Sequence, residues 1–178
     1  GLGLTVGAVR PHPNHSCVRN VTFRYATMHH TFKGIYVKSQ YSDDPTASGE
    51  ITNLRYEHLL MESPTQVPIW IGPAQEADSE HSCSLLWPQV PLTQCPPPPT
   101  SLTWTNITLR NVTILSPSQS PGVILGNPKQ PMKGVVFDDV VVRDPGEKPW
   151  GDLFYHCVGV DGVATGSTLP APPCFRKK

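Results

Sequence analysis

Apolar residues recur along the chain at relative positions 1, 3, 6 and 8 in a pattern that occurs four times. The copies begin at Val21, Leu54, Ile107 and Val135, at intervals of 33, 53 and 28 residues. Alternating apolar and polar side chains are typical of β-strands, because successive side chains point to opposite faces. The alternation slips by one residue between positions 3 and 6 of each copy, which predicts a bend between two short strands.

A second, shorter strand pattern is written Gly-Ile-Tyr-Val-Lys at residues 34–38 and returns at 3–7, 68–72 and 122–126, and less clearly at Phe154. Units of roughly 30 residues are too short for a helix on every strand, and no stretch has the apolar spacing of a long amphipathic helix. Repeats of this size are typical of stacked coils that share one core. We therefore predict an all-β fold, a right-handed parallel β-helix of about four to five coils.

The long interval between the second and third copies indicates an insertion within the single domain 1–178. The excess of roughly 20 residues lies in 72–103, which contains Cys83, Cys95 and a run of prolines after Cys95. We predict a proline-stiffened loop closed by a disulfide. It is either a binding loop or a structural flap over one side of the helix. Residues 143–178, where the repeat ends, are expected to cap the last coil.

The chain has five cysteines. Proximity in sequence suggests the pairs Cys83–Cys95 and Cys157–Cys174, which leaves Cys17 either as a buried thiol or bonded to a cysteine upstream of residue 1. Four sequons allow N-glycosylation. They are Asn14, Asn20, Asn106 and Asn111. Paired cysteines and sequons together favour a secreted protein, extracellular or in a cell wall.

Lysine plus arginine and aspartate plus glutamate number 14 each, so the charge gives no reason to expect nucleic acid or a membrane surface as partner. No apolar run approaches the ~20 residues of a membrane span. The histidines lack metal-ligand spacing, and we expect neither a metal nor a cofactor. The chain starts on Gly rather than Met, and we interpret it as a processed product or a fragment.

Stacking the short strands predicts two outward rows of side chains. The first contains Thr5, Tyr36, Trp70 and Ile124, and its aromatic rings suit either the apolar faces of sugars or the simple covering of a sheet. The second contains Gly7, Lys38, Gly72 and Gly126. The glycines around Lys38 leave its ammonium group open to the approach of a ligand carboxylate. The alternative is that Lys38 is an ordinary surface lysine surrounded by water.

Two pairs of consecutive aspartates are candidates for acid–base chemistry. The adjacent Asp138 and Asp139 would diverge on a strand and are interpreted as turn residues. Asp43 and Asp44 lie in a polar loop and are expected to be solvated. The residues by themselves therefore predict a binding face without a catalytic acid–base pair.

Three motifs carry a family resemblance. Gly1-Leu-Gly-Leu-Thr-Val-Gly, Asn20-Val-Thr-Phe and Gly34-Ile-Tyr-Val-Lys resemble the central region of the polygalacturonase family, glycoside hydrolase family 28. The family pattern is Gly-His-Gly-Leu-Ser-Ile-Gly, then Asn-Val, then Gly-Ile-Arg-Ile-Lys. The resemblance extends through the later repeats to about Val142 and more weakly into the tail. It implies a right-handed parallel β-helix that hydrolyses pectin by inversion between galacturonate units.

The resemblance carries over only some of the family's site residues. Leu2 stands at the motif's His and Tyr36 at its Arg, while Lys38 matches. The family's catalytic aspartates precede the Gly-His-Gly segment, so we expect them upstream of residue 1 and this chain alone to be inactive. The candidate substrate-binding residues are Lys38, Tyr36 and Trp70.

We therefore expect a polygalacturonase-type hydrolase, monomeric at full length, that acts on pectin-like cell-wall polysaccharide. Two alternatives remain open: a non-catalytic carbohydrate-binding β-helix, and a structural or adhesion β-solenoid.

Overall fold

The computed structural model describes residues 1–75 and 82–177, which form strands joined by turns and two short 3-10 turns at Leu92–Gln94 and Gly151–Leu153. The strands of this part are β1 (Leu4–Val9), β2 (Ser16–His29), β3 (Ile35–Ser39), β4 (Gly49–Glu62), β5 (Ile69–Pro73), β6 (Leu102–Leu115), β7 (Gly122–Leu125), β8 (Met132–Arg143), β9 (Tyr155–Val158), β10 (Val160–Thr165) and β11 (Arg176–Lys177).

Short and long strands separate into two parallel sheets. The short strands pair in the order β1-β3-β5-β7-β9, and the long strands with the tail pair as β11-β10-β8-β6-β4-β2. Each coil thus contributes one strand to each sheet, and the next coil stacks in register upon it. This is the parallel β-helix that the repeats predict.

The core lies between the two sheets and is made of the apolar positions of each repeat. Ile35 pairs with Ile69, and Val37 pairs with Ile71, which pairs with Ile124. All five side chains are fully buried. Apolar residues stacked on themselves from coil to coil give a continuous core, as the solenoid pattern requires.

The long strands bend where the sequence pattern slips. At relative position 5 of each copy stands a residue in the left-handed region: Tyr25, His58, Asn111 and Asp139, with φ of 57°, 56°, 50° and 55°. One left-handed residue turns the chain without breaking the sheet, and the apolar residues on either side both point inward. The predicted bend is confirmed.

A second bend in the same strands is held by an asparagine ladder. Asn20, Asn53 and Asn106 adopt φ of 57°, 54° and 56°. The Nδ2 group of Asn53 donates to Oδ1 of Asn20 at 3.0 Å, and that of Asn106 donates to Oδ1 of Asn53 at 3.1 Å. Asparagine tolerates this conformation better than most residues and satisfies its amide on the neighbouring coil. The sequon at Asn106 is thus also a ladder position, and its glycosylation stays a prediction.

The register of the fourth short strand corrects the two predicted rows. Ile69 pairs with Gly122 and Trp70 with Val123, so the outward row continues through Val123 and not Ile124. Gly72 likewise lies against Leu125 rather than Gly126. The shift has a steric cause, because a Cβ on Gly122 would lie 2.5 Å from the Tyr155 ring, which fills that space in the core.

The tail contributes strands as well as covering the last coil. The fifth short strand begins at Tyr155, one residue after the predicted Phe154, which instead has a φ of 57° and ends a 3-10 turn. β9 extends the sheet of short strands, and β10 and β11 extend the other. Phe175 then packs against Phe137 in the core, with ring centroids 5.0 Å apart.

Both predicted disulfides, Cys83–Cys95 and Cys157–Cys174, are present. Cys17 is free and exposed, so its interpretation as a buried thiol is wrong. The insertion leaves the sheet after Pro73 and returns at Leu102. Residues 76–81 of it lie outside the described residues.

Candidate functional site

A groove runs along the outer side of the short-strand sheet at the β1, β3 and β5 coils. It has a volume of about 330 Å³. Its lining residues combine apolar, amide and cationic side chains: Leu2, Phe32, Lys33, Tyr36, Lys38, Gln66, Ala74 and Gln75. We call it the lysine groove. It contains three motif positions that the sequence singles out, namely Leu2, Tyr36 and Lys38.

The local backbone explains how Leu2 reaches the groove. Gly3 has φ of 80°, and a Cβ there would lie 2.5 Å from the carbonyl oxygens of Lys33 and Gly34. Only glycine allows this close approach of two backbones. The carbonyl of Gly1 accepts a hydrogen bond from the N–H of Phe32 at 2.9 Å, which places Leu2 beside the turn that precedes β3.

Lys38 lies on the outward face of β3, where the sequence places it. It pairs with Gly72 on the next coil and is half-buried. Its Nζ lies 4.8 Å from the centroid of the Tyr36 ring, a cation–π distance. On the coil of β5, the neighbour of Lys38 is thus Gly72, which has no side chain, as the sequence predicts.

The aromatic row is not an exposed platform, which corrects the prediction for Tyr36 and Trp70. Trp70 is fully buried and Tyr36 is only 4% exposed. Their rings meet edge to face, with centroids 6.0 Å apart. The indole of Trp70 is also tied down, because its Nε1 donates to the carbonyl oxygen of Pro73 at 2.8 Å.

The cover over Trp70 comes from the insertion and the tail. Tyr36, Val67, Trp70 and Val123 form a second apolar cluster outside the main core. Leu85 and Leu86 of the insertion and Trp150 before β9 pack against it. Of the two interpretations left open for the insertion, this packing supports the structural flap.

Lys33 is a groove residue that the sequence reasoning missed. It is only 2% exposed, and its Nζ donates to Oε1 of Gln66 at 2.7 Å and to Oε1 of Gln75 at 3.1 Å. The same Nζ lies 5.0 Å from the Tyr36 ring centroid and 5.3 Å from that of Trp70. Burial lowers the pKa of Lys33 to about 8, with a smaller contribution from the charge of Lys38.

Backbone hydrogen bonds between coils hold the two amides around Lys33. The N–H of Gln66 donates to the carbonyl of Phe32 at 2.9 Å, which fixes Gln66 beside the next residue, Lys33. The N–H of Gln75 donates to the Tyr36 hydroxyl at 3.1 Å. Ile35 pairs with Ile69, 34 residues later in the chain. The same offset relates Phe32 to Gln66, so it could have indicated from the sequence that Gln66 lies beside Lys33.

Carboxylates are absent from the described lining of the groove. Asp138 instead pairs with Arg110 at 2.9 Å on the long-strand sheet. Asp139 accepts from the N–H and hydroxyl of Ser167, both at 2.8 Å, and these bonds lower its pKa. Asp43 and Asp44 are exposed, and Asp44 accepts from Thr46. Asp43 and Asp44 are thus solvated as expected. Asp138 and Asp139 lie within β8 and not in a turn, which corrects the prediction, although Asp139 forms the bend of that strand.

Within residues 1–75 and 82–177, no group of three histidine, cysteine or acidic side chains could hold a metal ion. In the same ranges, no helix has the length and apolar character needed to cross a bilayer.

The fold and groove define a parallel β-helix with two lysines lining a groove on its short-strand face. The model of the family "Glycosyl hydrolases family 28" matches residues 1–157. The chain therefore belongs to glycosyl hydrolases family 28. Comparison with curated proteins and with solved structures gives no significant match.

Proposed function

We propose that this chain forms one wall of the substrate groove of a polygalacturonase-type hydrolase that acts on pectin-like polysaccharide. The observation that carries the proposal is the position of Lys38. It matches the lysine of the family motif, and it lines a groove together with Leu2 from the preceding coil. A half-buried lysine side chain is a good partner for a uronate carboxylate or a sugar hydroxyl.

Each groove residue has a limited chemical role in this proposal. Lys38 donates to the substrate, and Tyr36 supports the Lys38 ammonium group through its ring rather than stacking on a sugar. Trp70, being fully buried, supports Tyr36 from below. Leu2 offers only apolar contact, because its side chain has neither a donor nor an acceptor.

Inverting hydrolysis needs one carboxylic acid to protonate the leaving oxygen and one carboxylate to activate water, separated by roughly 6.5–9.5 Å. Acidic side chains are missing from the described lining of the lysine groove. We propose that the acids belong to coils upstream of residue 1 and that the 178-residue chain is inactive by itself. We also propose secretion, which the two disulfides support.

The test measures reducing-end release from polygalacturonate by two proteins: the 178-residue chain, and the chain extended by the residues that precede it in its gene. We expect release only from the extended protein. Substantial release by the 178-residue chain would show that the acids lie within it, and would overturn the assignment to upstream coils.

The second candidate function is carbohydrate binding without catalysis. Leu2 favours it, since the motif's histidine is replaced by a side chain that cannot bond to a catalytic acid or a substrate hydroxyl. An extended protein that binds oligogalacturonide but releases no reducing ends would support this second function. Release of reducing ends at a rate that increases with the concentration of the extended protein would exclude binding without catalysis.

A further inference from the structure

Lys33 lines the lysine groove although its side chain is almost entirely buried, at 2% exposure. Lysine is seldom buried this far unless its charge is compensated, because removing an ammonium group from water is costly. The environment of Lys33 therefore indicates what kind of ligand the groove is suited to accept.

The described neighbours of Lys33 compensate its charge only with neutral groups. Gln66 and Gln75 each accept one hydrogen bond from Nζ, and the rings of Tyr36 and Trp70 present their π systems. An ammonium group has three donors. Among the ion pairs of the described residues, Lys33 has no carboxylate within 4.0 Å.

Lys33 and Lys38 are close to one another because they share the Tyr36 ring. Their Nζ atoms lie 5.0 and 4.8 Å from its centroid, so the sum of these distances is the most that can separate them. Two like charges at such a separation repel each other. An anion in contact with both would add two attractions that offset this repulsion, and both lysines line the same groove.

We propose that Lys33 is a second anion-binding residue of the groove, which acts with Lys38 to hold a carboxylate of an acidic polysaccharide over the edge of Tyr36. The inference rests on the proposed function, since it takes the groove to be a polysaccharide site. It goes further by assigning a carboxylate-binding role to Lys33, a residue outside the family motif.

The protonation state of Lys33 at neutral pH is consistent with binding an anion. Burial and the Lys38 charge lower the pKa of Lys33 to about 8, so the ammonium form predominates at pH 7 and below. A bound carboxylate would favour that form further.

The test compares two probes, an oligogalacturonide and its fully methyl-esterified form, by titration calorimetry at pH 6. Wild type is expected to bind the acidic probe more tightly. Lys33→Met keeps the length and apolar stem of the side chain but removes its charge. It should weaken the acidic probe roughly 10- to 100-fold, the range for a charged hydrogen bond, and leave the methyl ester unaffected. Lys133→Met, at an exposed position of β8, is the matched control.

A merely structural lysine would give a different result. If Lys33 only bridges Gln66 and Gln75, Lys33→Met should lower the melting temperature and weaken both probes alike. Lys33→Arg provides a second variant, because it keeps the charge and should retain the preference for the acidic probe even where its absolute affinity falls.

The possible failures are distinguishable. If wild type prefers the acidic probe and Lys33→Met keeps the full preference, Lys33 is not the anion-binding residue and the proposed function stands. If wild type binds both probes equally, the groove does not select a carboxylate, and the inference about Lys33 is overturned while the proposed polysaccharide site stands. If it binds neither, the proposed function fails and this inference fails with it.

Discussion

The indole ring of Trp70 meets the ring of Tyr36 edge to face on the outer side of the short-strand sheet, with centroids 6.0 Å apart. Neither ring is available to a ligand as a flat platform, because Trp70 is fully buried and Tyr36 is 4% exposed. The pair instead forms the floor under the ammonium groups of Lys33 and Lys38. The pair therefore supports two cations and does not offer a stacking surface.

Trp70→Ala is therefore expected to act on stability. Truncating a fully buried tryptophan costs about 3–5 kcal/mol of unfolding free energy, through lost burial and the cavity that remains. Urea unfolding followed by circular dichroism measures the change. Trp87→Ala is the control, because Trp87 is 56% exposed and should change stability by less than about 0.5 kcal/mol. Equal effects of the two substitutions would contradict the burial of Trp70.

Asn53 contributes to the ladder in two ways that substitutions can separate. Asn53→Gly removes its hydrogen bonds with Asn20 and Asn106 and keeps a residue that accepts φ of 54°. We expect a loss of about 1–2 kcal/mol. Asn53→Ala should lose roughly 1 kcal/mol more, because alanine is strained in the left-handed region. Chemical denaturation of both variants gives the comparison. An alanine variant as stable as the glycine variant would show that the backbone conformation carries no cost.

The Cys83–Cys95 disulfide closes a loop with a sequence separation of 12 residues, and that loop contributes Leu85 and Leu86 to the cover over Trp70. In the chain-entropy account, replacing both cysteines with serine costs about 3 kcal/mol. The melting temperature should fall, and tryptophan fluorescence should shift to the red as Trp70 meets water. Cys17→Ser, at an exposed free thiol, should change neither quantity. An unshifted spectrum in the double serine variant would show that the flap stays in place without the bond.

Stability should depend on pH through Lys33 in an unusual direction. Its pKa falls from 10.5 to about 8 on folding, chiefly by burial and secondarily by Lys38. Between these two values the unfolded chain binds the proton and the folded chain does not, so folding becomes more favourable as pH rises from about 8 to 10.5. Below pH 8 both states are protonated and the cost of the buried charge is fully present.

The measurement is the difference in unfolding free energy between Lys33→Met and wild type from pH 7 to 10.5. Taking the difference cancels the titration of groups that do not interact with Lys33. The stability of Lys33→Met relative to wild type should fall steadily as the pH rises above 8. A constant difference over this range would mean that Lys33 keeps an ordinary pKa in the folded chain.

Much of the architecture was predictable because a β-helix repeats itself in sequence. Apolar residues at Val21, Leu54 and Ile107 must stack on one another when coils align, and they pair in that order in the sheet. The slip in each copy predicted a bend, and the structure makes it with a left-handed residue, as at Tyr25 and His58. The predicted register failed by one residue at Phe154 and also at Gly122. At Gly122 the ring that fills the space beside the glycine comes from Tyr155, 33 residues further along the chain.

The candidate site was only partly predictable. Lys38 follows from alternation along a single strand, which local sequence reports. Lys33, Gln66 and Gln75 meet across two coils, and their roles depend on which turns are hydrogen-bonded together. The burial of Trp70 was also hidden, because the side chains that cover it come from an insertion whose path the repeat pattern does not describe.

The sequence by itself determined the fold, the family and the outward position of Lys38, since all three depend on short-range periodicity and motif order. Only the tertiary structure decided that the aromatic row is a buried support and that a second lysine lies in the groove. The physical reason is that exposure and charge compensation depend on what covers a residue from distant parts of the chain. For Lys33 and Trp70 those parts are neighbouring coils and the disulfide-closed flap.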